Sequence, residues 1–70
     1  MKEITASMAG TVLNVLVSEG ESVSAGQTVM MLESMKMEIP IEATEAGEVS
    51  TVNFNVGDFV NEGDALVVLK

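Results

Sequence analysis

The chain has 70 residues, eleven of them acidic and three basic, for a formal net charge of −8, and it contains no histidine, cysteine, tryptophan or tyrosine. Without an imidazole or a thiolate there is no Ser-His-Asp or Cys-His nucleophile and no zinc site of the usual kind, so neither catalytic residues nor metal ligands are expected. A surface this acidic also disfavours nucleic acid and anionic membranes, whose binding depends on lysine and arginine.

The length suits a single domain over residues 1–70. No apolar run approaches the roughly 20 residues that cross a bilayer, which excludes membrane insertion by a helix. Met1-Lys2-Glu3 opens no targeting segment, so a cytoplasmic protein is expected, monomeric as an isolated domain. The acids are read first as a solubility device for a strongly apolar chain.

In chain order, Val12 and Val15 lie three apart in a β-branched segment, which breaks a strict period of two and predicts a strand with a bulge near Leu13-Asn14. A helix over Val12–Val17 would be too short and too β-branched. Ser18-Glu19-Gly20-Glu21 and Ser24-Ala25-Gly26-Gln27 carry turn chemistry and are expected to be hairpin turns. Thr28–Ser34 reads as a nearly continuous apolar strand. Met35-Lys36 is left as a two-residue connection to Met37–Ala43, where Met37, Ile39, Ile41 and Ala43 alternate with Glu38, Pro40 and Glu42. Met37 is thus expected to point inward, half in the core, and Lys36 outward from the tip. Pro40 lacks an N–H and places this strand at a sheet edge or a bulge. A second bulge is expected near Ser50-Thr51, turns at Asn55–Asp58 and Asn61–Asp64, and a final apolar strand over Ala65–Lys70.

The six glycines reveal the organisation. Gly10, Gly20 and Gly26 are spaced like Gly47, Gly57 and Gly63, with a constant offset of 37. Sliding Ala9–Glu33 onto Ala46–Lys70 gives eight identities in 25 positions without a gap. Ile4/Ile41 and Ala6/Ala43 extend the register. This is an internal duplication. The glycine gaps fit neither a dinucleotide fingerprint nor a P-loop. Asn53–Asp58 faintly resembles a calcium loop, but a glycine falls on a ligand position and the closing glutamate is missing. The expected fold is all-β: a flattened barrel or sandwich of two small antiparallel sheets with a pseudo-two-fold axis. Symmetry makes the unlinked N- and C-terminal strands the counterpart of the central hairpin and sets the termini side by side at the far end from Lys36.

Glu33-Ser34-Met35-Lys36-Met37 resembles the attachment motif of biotinyl domains, the carrier modules of biotin-dependent carboxylases and decarboxylases. The likeness runs the length of the chain through Met8-Ala9-Gly10-Thr11-Val12, Gly20-Glu21-Ser22-Val23, Gly26-Gln27, Ala46-Gly47, Gly57-Asp58-Phe59-Val60 and Glu62-Gly63-Asp64. Ser34 stands where the family more often has Ala, and Ser7 where it often has Pro. Nothing between Val12 and Ser34 is inserted that could form a protruding loop, so the compact type is matched. The resemblance implies a non-catalytic carrier with covalent biotin on Lys36, ligase recognition through Glu33, Met35 and Met37, and three partners: a biotin protein ligase, a biotin carboxylase and a carboxyltransferase. The related lipoyl domains, with lipoate on Lys36 serving a 2-oxoacid dehydrogenase or a glycine-cleavage type system, are the alternative.

Overall fold

A computed structural model describes residues 2–70, and every regular element in it is a strand. In order these are β1 (Lys2–Thr5), β2 (Gly10–Val15), β3 (Ser22–Val23), β4 (Thr28–Ser34), β5 (Met37–Glu42), β6 (Gly47–Val52), β7 (Phe59–Val60) and β8 (Ala65–Leu69). They form two four-stranded antiparallel sheets, β1-β8-β6-β3 and β5-β4-β2-β7. Shifting by 37 residues carries β1 to β5, β2 to β6, β3 to β7 and β4 to β8. Each sheet therefore maps strand for strand onto the other, and the duplication read in the glycines is the architecture. Among the described residues no helix is long and apolar enough to cross a membrane.

The repeat extends to single hydrogen bonds. Gly20 donates to the Val49 carbonyl at 2.8 Å and Gly57 to the Val12 carbonyl at 2.9 Å, while Gly26 donates to Ala43 and Gly63 to Ala6 at 2.8 and 2.9 Å. These four glycines have φ between 85° and 95°, a conformation that a Cβ disfavours. With Gly at the third turn position and a bond closing the first residue to the fourth, each turn has the type II pattern. A side chain completes each one: the N–H of Ser18 donates to Glu21 Oε1, Ser24 to Gln27 Oε1, Asn55 to Asp58 Oδ2 and Asn61 to Asp64 Oδ2, at 2.8–3.0 Å. Three of the acids are therefore turn fasteners as well as surface charge. These turns are tight, but they are not the hairpins expected of them. Each leads to or from β3 or β7 and passes the chain from one sheet to the other, because a two-residue strand is too short to fold back on its predecessor.

The bulges lie where the valine spacing placed them, at Val12/Asn14 against β4 and at Val49/Thr51 against β8. Skipping one residue returns Val15 and Val52 to the core side, where both pack against the buried cluster. A matching slip at Thr28/Met30 and at Ile4/Thr5 leaves Val29 and Leu66 without partners in their ladders, so consecutive residues (Val29 and Met30, Leu66 and Val67) are all fully buried.

The core is duplicated too. Ile4/Ile41, Ala6/Ala43, Val12/Val49, Val23/Val60, Val29/Leu66, Met30/Val67 and Leu32/Leu69 are all buried, and Val17 is matched by the half-buried Phe54. Burying such side chains contributes about 1.5–3 kcal/mol each before the cost of ordering the chain. The β1/β8 ladder pairs Lys2 with Leu69, which brings the two chain ends together as the symmetry requires. The molecule measures 31 × 19 × 18 Å.

Candidate functional site at the central hairpin

The β4/β5 hairpin is the counterpart of the β1/β8 pair, but here the strands are covalently joined. Ser34 and Met37 form its last rung and Met35-Lys36 the turn. Both turn residues have positive φ, 53° and 65°, and they are the only non-glycine residues among those described to do so. Two consecutive left-handed residues make a type I′ turn, whose twist matches the flanking strands and which ordinarily selects Asn-Gly. Holding L-residues with full side chains there costs roughly 1–2 kcal/mol apiece. Strain of this size persists where the surroundings over-determine it, and it concentrates at functional sites.

Gly10 supplies part of that support. A Cβ on it would lie 2.6 Å from the backbone oxygen of Glu33, so β2 packs against the root of the hairpin at a distance that only glycine allows. β5 is an edge strand, as Pro40 requires.

The four residues singled out from the sequence are brought together, and all are exposed. Met35 is 88% exposed at the summit beside Lys36. Glu33 stands on β4 between Thr11 of β2 and Glu38 of β5. Met37 corrects the expectation. It keeps the phase of Ile39 and Ile41 but is 64% exposed, because the hairpin tip runs past the last core rung, Leu32/Ile39, and meets no opposing layer.

Lys36 ion-pairs with no carboxylate among the described residues. The other two lysines are engaged: Lys2 Nζ lies 3.2 Å from Glu45 Oε1 and Lys70 Nζ 3.5 Å from Glu48 Oε2. An exposed, unpaired primary amine on a pre-formed turn fits an acyl group joined through an amide, since nothing must move or be desolvated to present it.

Thr11, Glu38 and Phe59, which the sequence did not single out as site residues, adjoin the turn or Glu33. An open concavity of about 450 Å3 beside the turn is lined by Ala9, Thr11, Glu33, Ser34 and Phe59 as well as by the turn itself. Glu38, Glu33, Thr11 and Phe59 form one row across four adjacent strands. Phe59 is 62% exposed, and its counterpart in the first half is Ser22. An aromatic unmatched by its repeat was the available signal.

A symmetric all-β scaffold that presents an exposed lysine on a left-handed hairpin turn fits a carrier class of protein. The chain belongs to the biotin/lipoyl attachment family, whose model, described as "Biotin-requiring enzyme", matches residues 2–69. It is 50% identical over 67 residues to the "Biotin/lipoyl attachment protein" of Bacillus subtilis, covering 96% of this chain and 92% of that one. It is 48% identical over 64 residues to a "Biotin carboxyl carrier protein" of Streptococcus mutans, covering 91% of this chain and 49% of the relative. Among solved structures, Kluyveromyces lactis urea carboxylase contains a match with a TM-score of 0.92 and 29% identity, covering 99% of this chain and 6% of that one. The chain therefore corresponds to a biotin carrier domain, spanning nearly the whole of the Bacillus subtilis relative but only 6% of the urea carboxylase.

Proposed function

We propose that Lys36 carries biotin through an amide on Nζ and that the domain shuttles a carboxyl group between a biotin carboxylase site and a carboxyltransferase site. The observation that carries this reading is the turn: the one lysine free of ion pairs among the described residues occupies a left-handed position at the tip of a hairpin. Biotin, when bound, supplies a ureido nitrogen that can hold and release a carboxyl group.

The chain's own residues do the positioning. Met35-Lys36 presents the amine at the exposed tip of the hairpin. Gly10 and the β4/β5 ladder hold the root of the turn, so the flexible part of the tether begins at the side chain. Lysine and acyl chain together reach about 14 Å from backbone to ring, and such a link provides an effective concentration of order millimolar at each partner. A protonated amine is no nucleophile, so the ligase must remove its proton as well as activate biotin. Glu33, Met35 and Met37 are the residues that ligase reads. Glu33 and Glu38 set like charges directly opposite, a pairing that costs stability within the chain and that a cationic partner surface would relieve.

Incubation with a biotin protein ligase, biotin and ATP should add one biotinyl group to the intact mass, and Lys36→Ala should abolish the addition. A chain left unmodified by an active ligase refutes the proposal. Preferential labelling by a lipoate ligase in a side-by-side competition would replace biotin with lipoate.

A further inference from the structure

We propose that Met35 and Met37 form a peroxide-sensitive modification site, whose oxidation to methionine sulfoxide blocks acylation of Lys36. The consequence for acylation rests on the reading of Lys36 as the biotin acceptor, whereas the site of oxidation does not.

Composition and placement converge on this pair. With no cysteine, tryptophan, tyrosine or histidine, methionine is the only readily oxidised side chain the protein has, and it has six. Within the described residues the five methionines are sharply graded. Met30 is fully buried, Met31 is half-buried and Met8 is 38% exposed, against 64% for Met37 and 88% for Met35. Of the described methionines the two most exposed therefore flank the acceptor amine, and methionine oxidation follows exposure.

Each sulfur takes one oxygen atom from a hydroperoxide: the O–O bond breaks, an S=O bond forms, the thioether loses two electrons and hydrogen peroxide leaves as water. Dithiol-dependent reductases reverse the step, returning the thioether and releasing the oxygen as water while the dithiol becomes a disulfide. Neither Met35 nor Met37 belongs to the core cluster, so oxidation there leaves the two sheets intact. What changes is the surface around Lys36. Two apolar, flexible side chains acquire strong dipoles, and a ligase pocket that accepts methionine must then bury polar oxygens without partners.

The test treats the unmodified full chain with dilute hydrogen peroxide and maps sulfoxide by peptide mass spectrometry. Met35 and Met37 should oxidise at least roughly tenfold faster than Met30, with Met8 and Met31 between them. Biotin ligase kcat/KM on the oxidised chain should fall by roughly 5- to 100-fold and return after treatment with methionine sulfoxide reductases A and B. The double variant Met35→Leu/Met37→Leu should keep the same rate before and after peroxide, whatever that rate is. Equal oxidation of Met8, Met30 and Met31 overturns the site. An unchanged ligase rate after oxidation, or a peroxide-sensitive double variant, overturns the block. If even the untreated chain takes no biotin, the function proposed for Lys36 and the block fall together, while the peptide map still decides where oxidation occurs.

Discussion

Gly10 and Gly47 occupy equivalent positions in the two halves, so substituting alanine at each separates the demands of the scaffold from those of the hairpin. Neither has a positive φ, and backbone conformation therefore does not distinguish them. Their neighbours do. At Gly10 a Cβ would sit 2.6 Å from Glu33 O and 3.3 Å from its carbonyl carbon, whereas at Gly47 it would meet Leu69 Cδ1 at 3.3 Å and Cβ at 3.4 Å. A carbon needs about 3.3 Å from a carbonyl oxygen, so Gly10→Ala must push β2 and β4 apart by about 0.7 Å. Both strands are held by the Thr11↔Glu33 rung and cannot yield as a side chain can. Overpacking of this kind costs about 1–3 kcal/mol, offset by about 0.4–1 kcal/mol from the stiffer unfolded chain. The net loss is about 1–2 kcal/mol, or roughly 5–15 °C in Tm for a domain of this size. At Gly47 the leucine tip can turn aside, the two effects nearly cancel, and the change should stay within about 0.5 kcal/mol. Urea and thermal unfolding of the two variants beside the parent measure both. A Gly10→Ala protein as stable as the parent, or one less damaged than Gly47→Ala, refutes the claim that the hairpin root is held by a contact only glycine permits.

Two further substitutions test the turns. Replacing Met35-Lys36 by Asn-Gly gives the type I′ turn its preferred residues and should stabilise the domain by about 1 kcal/mol in urea unfolding while eliminating biotin incorporation; a loss of stability would show that the positive φ values are not strained. Asp58→Ala and Asp64→Ala each remove the acceptor for a backbone N–H at 2.8 Å and should cost about 1 kcal/mol in thermal unfolding. Asp58→Asn and Asp64→Asn keep an acceptor oxygen and should recover most of that loss.

The glycine register carried the fold because a duplicated core needs the same backbone devices twice. Positive φ at Gly20, Gly26, Gly57 and Gly63, and a skipped residue in β2 and β6, are local demands written in local sequence. What the register could not convey was which sheet each strand joins. Ser22-Val23 and Phe59-Val60 are too short to show a periodicity of their own, and a turn between sheets uses the same residues as a turn within one. Met37 was misjudged for a related reason. Its alternation with Glu38 is real, but periodicity reports the face of a strand and not how far along that face the core extends. Among the site residues, Lys36 stood out because it lies at the seam between the repeats, whereas Phe59 and Glu38 became visible only when strand pairing set them in one row with Glu33 and Thr11.

Symmetry also shows what sets the central hairpin apart among the described residues. The counterpart of the β4/β5 hairpin is the β1/β8 ladder, whose two strands come from opposite halves of the chain. The lysines on that ladder, Lys2 and Lys70, ion-pair with Glu45 and Glu48. The other departures from the repeat gather around the hairpin tip: Phe59 against Ser22, the backbone contact at Gly10 against the side-chain contact at Gly47, and the one lysine among the described residues without an ion pair. Stability thus comes from what the halves share, a core in which nearly every buried residue has its mate. The function proposed for Lys36 rests on what they do not share. A substitution at a paired core position should therefore lower stability and leave modification of the folded fraction intact, whereas replacing an exposed tip side chain, Met35, Lys36 or Met37, should lower modification without loss of stability.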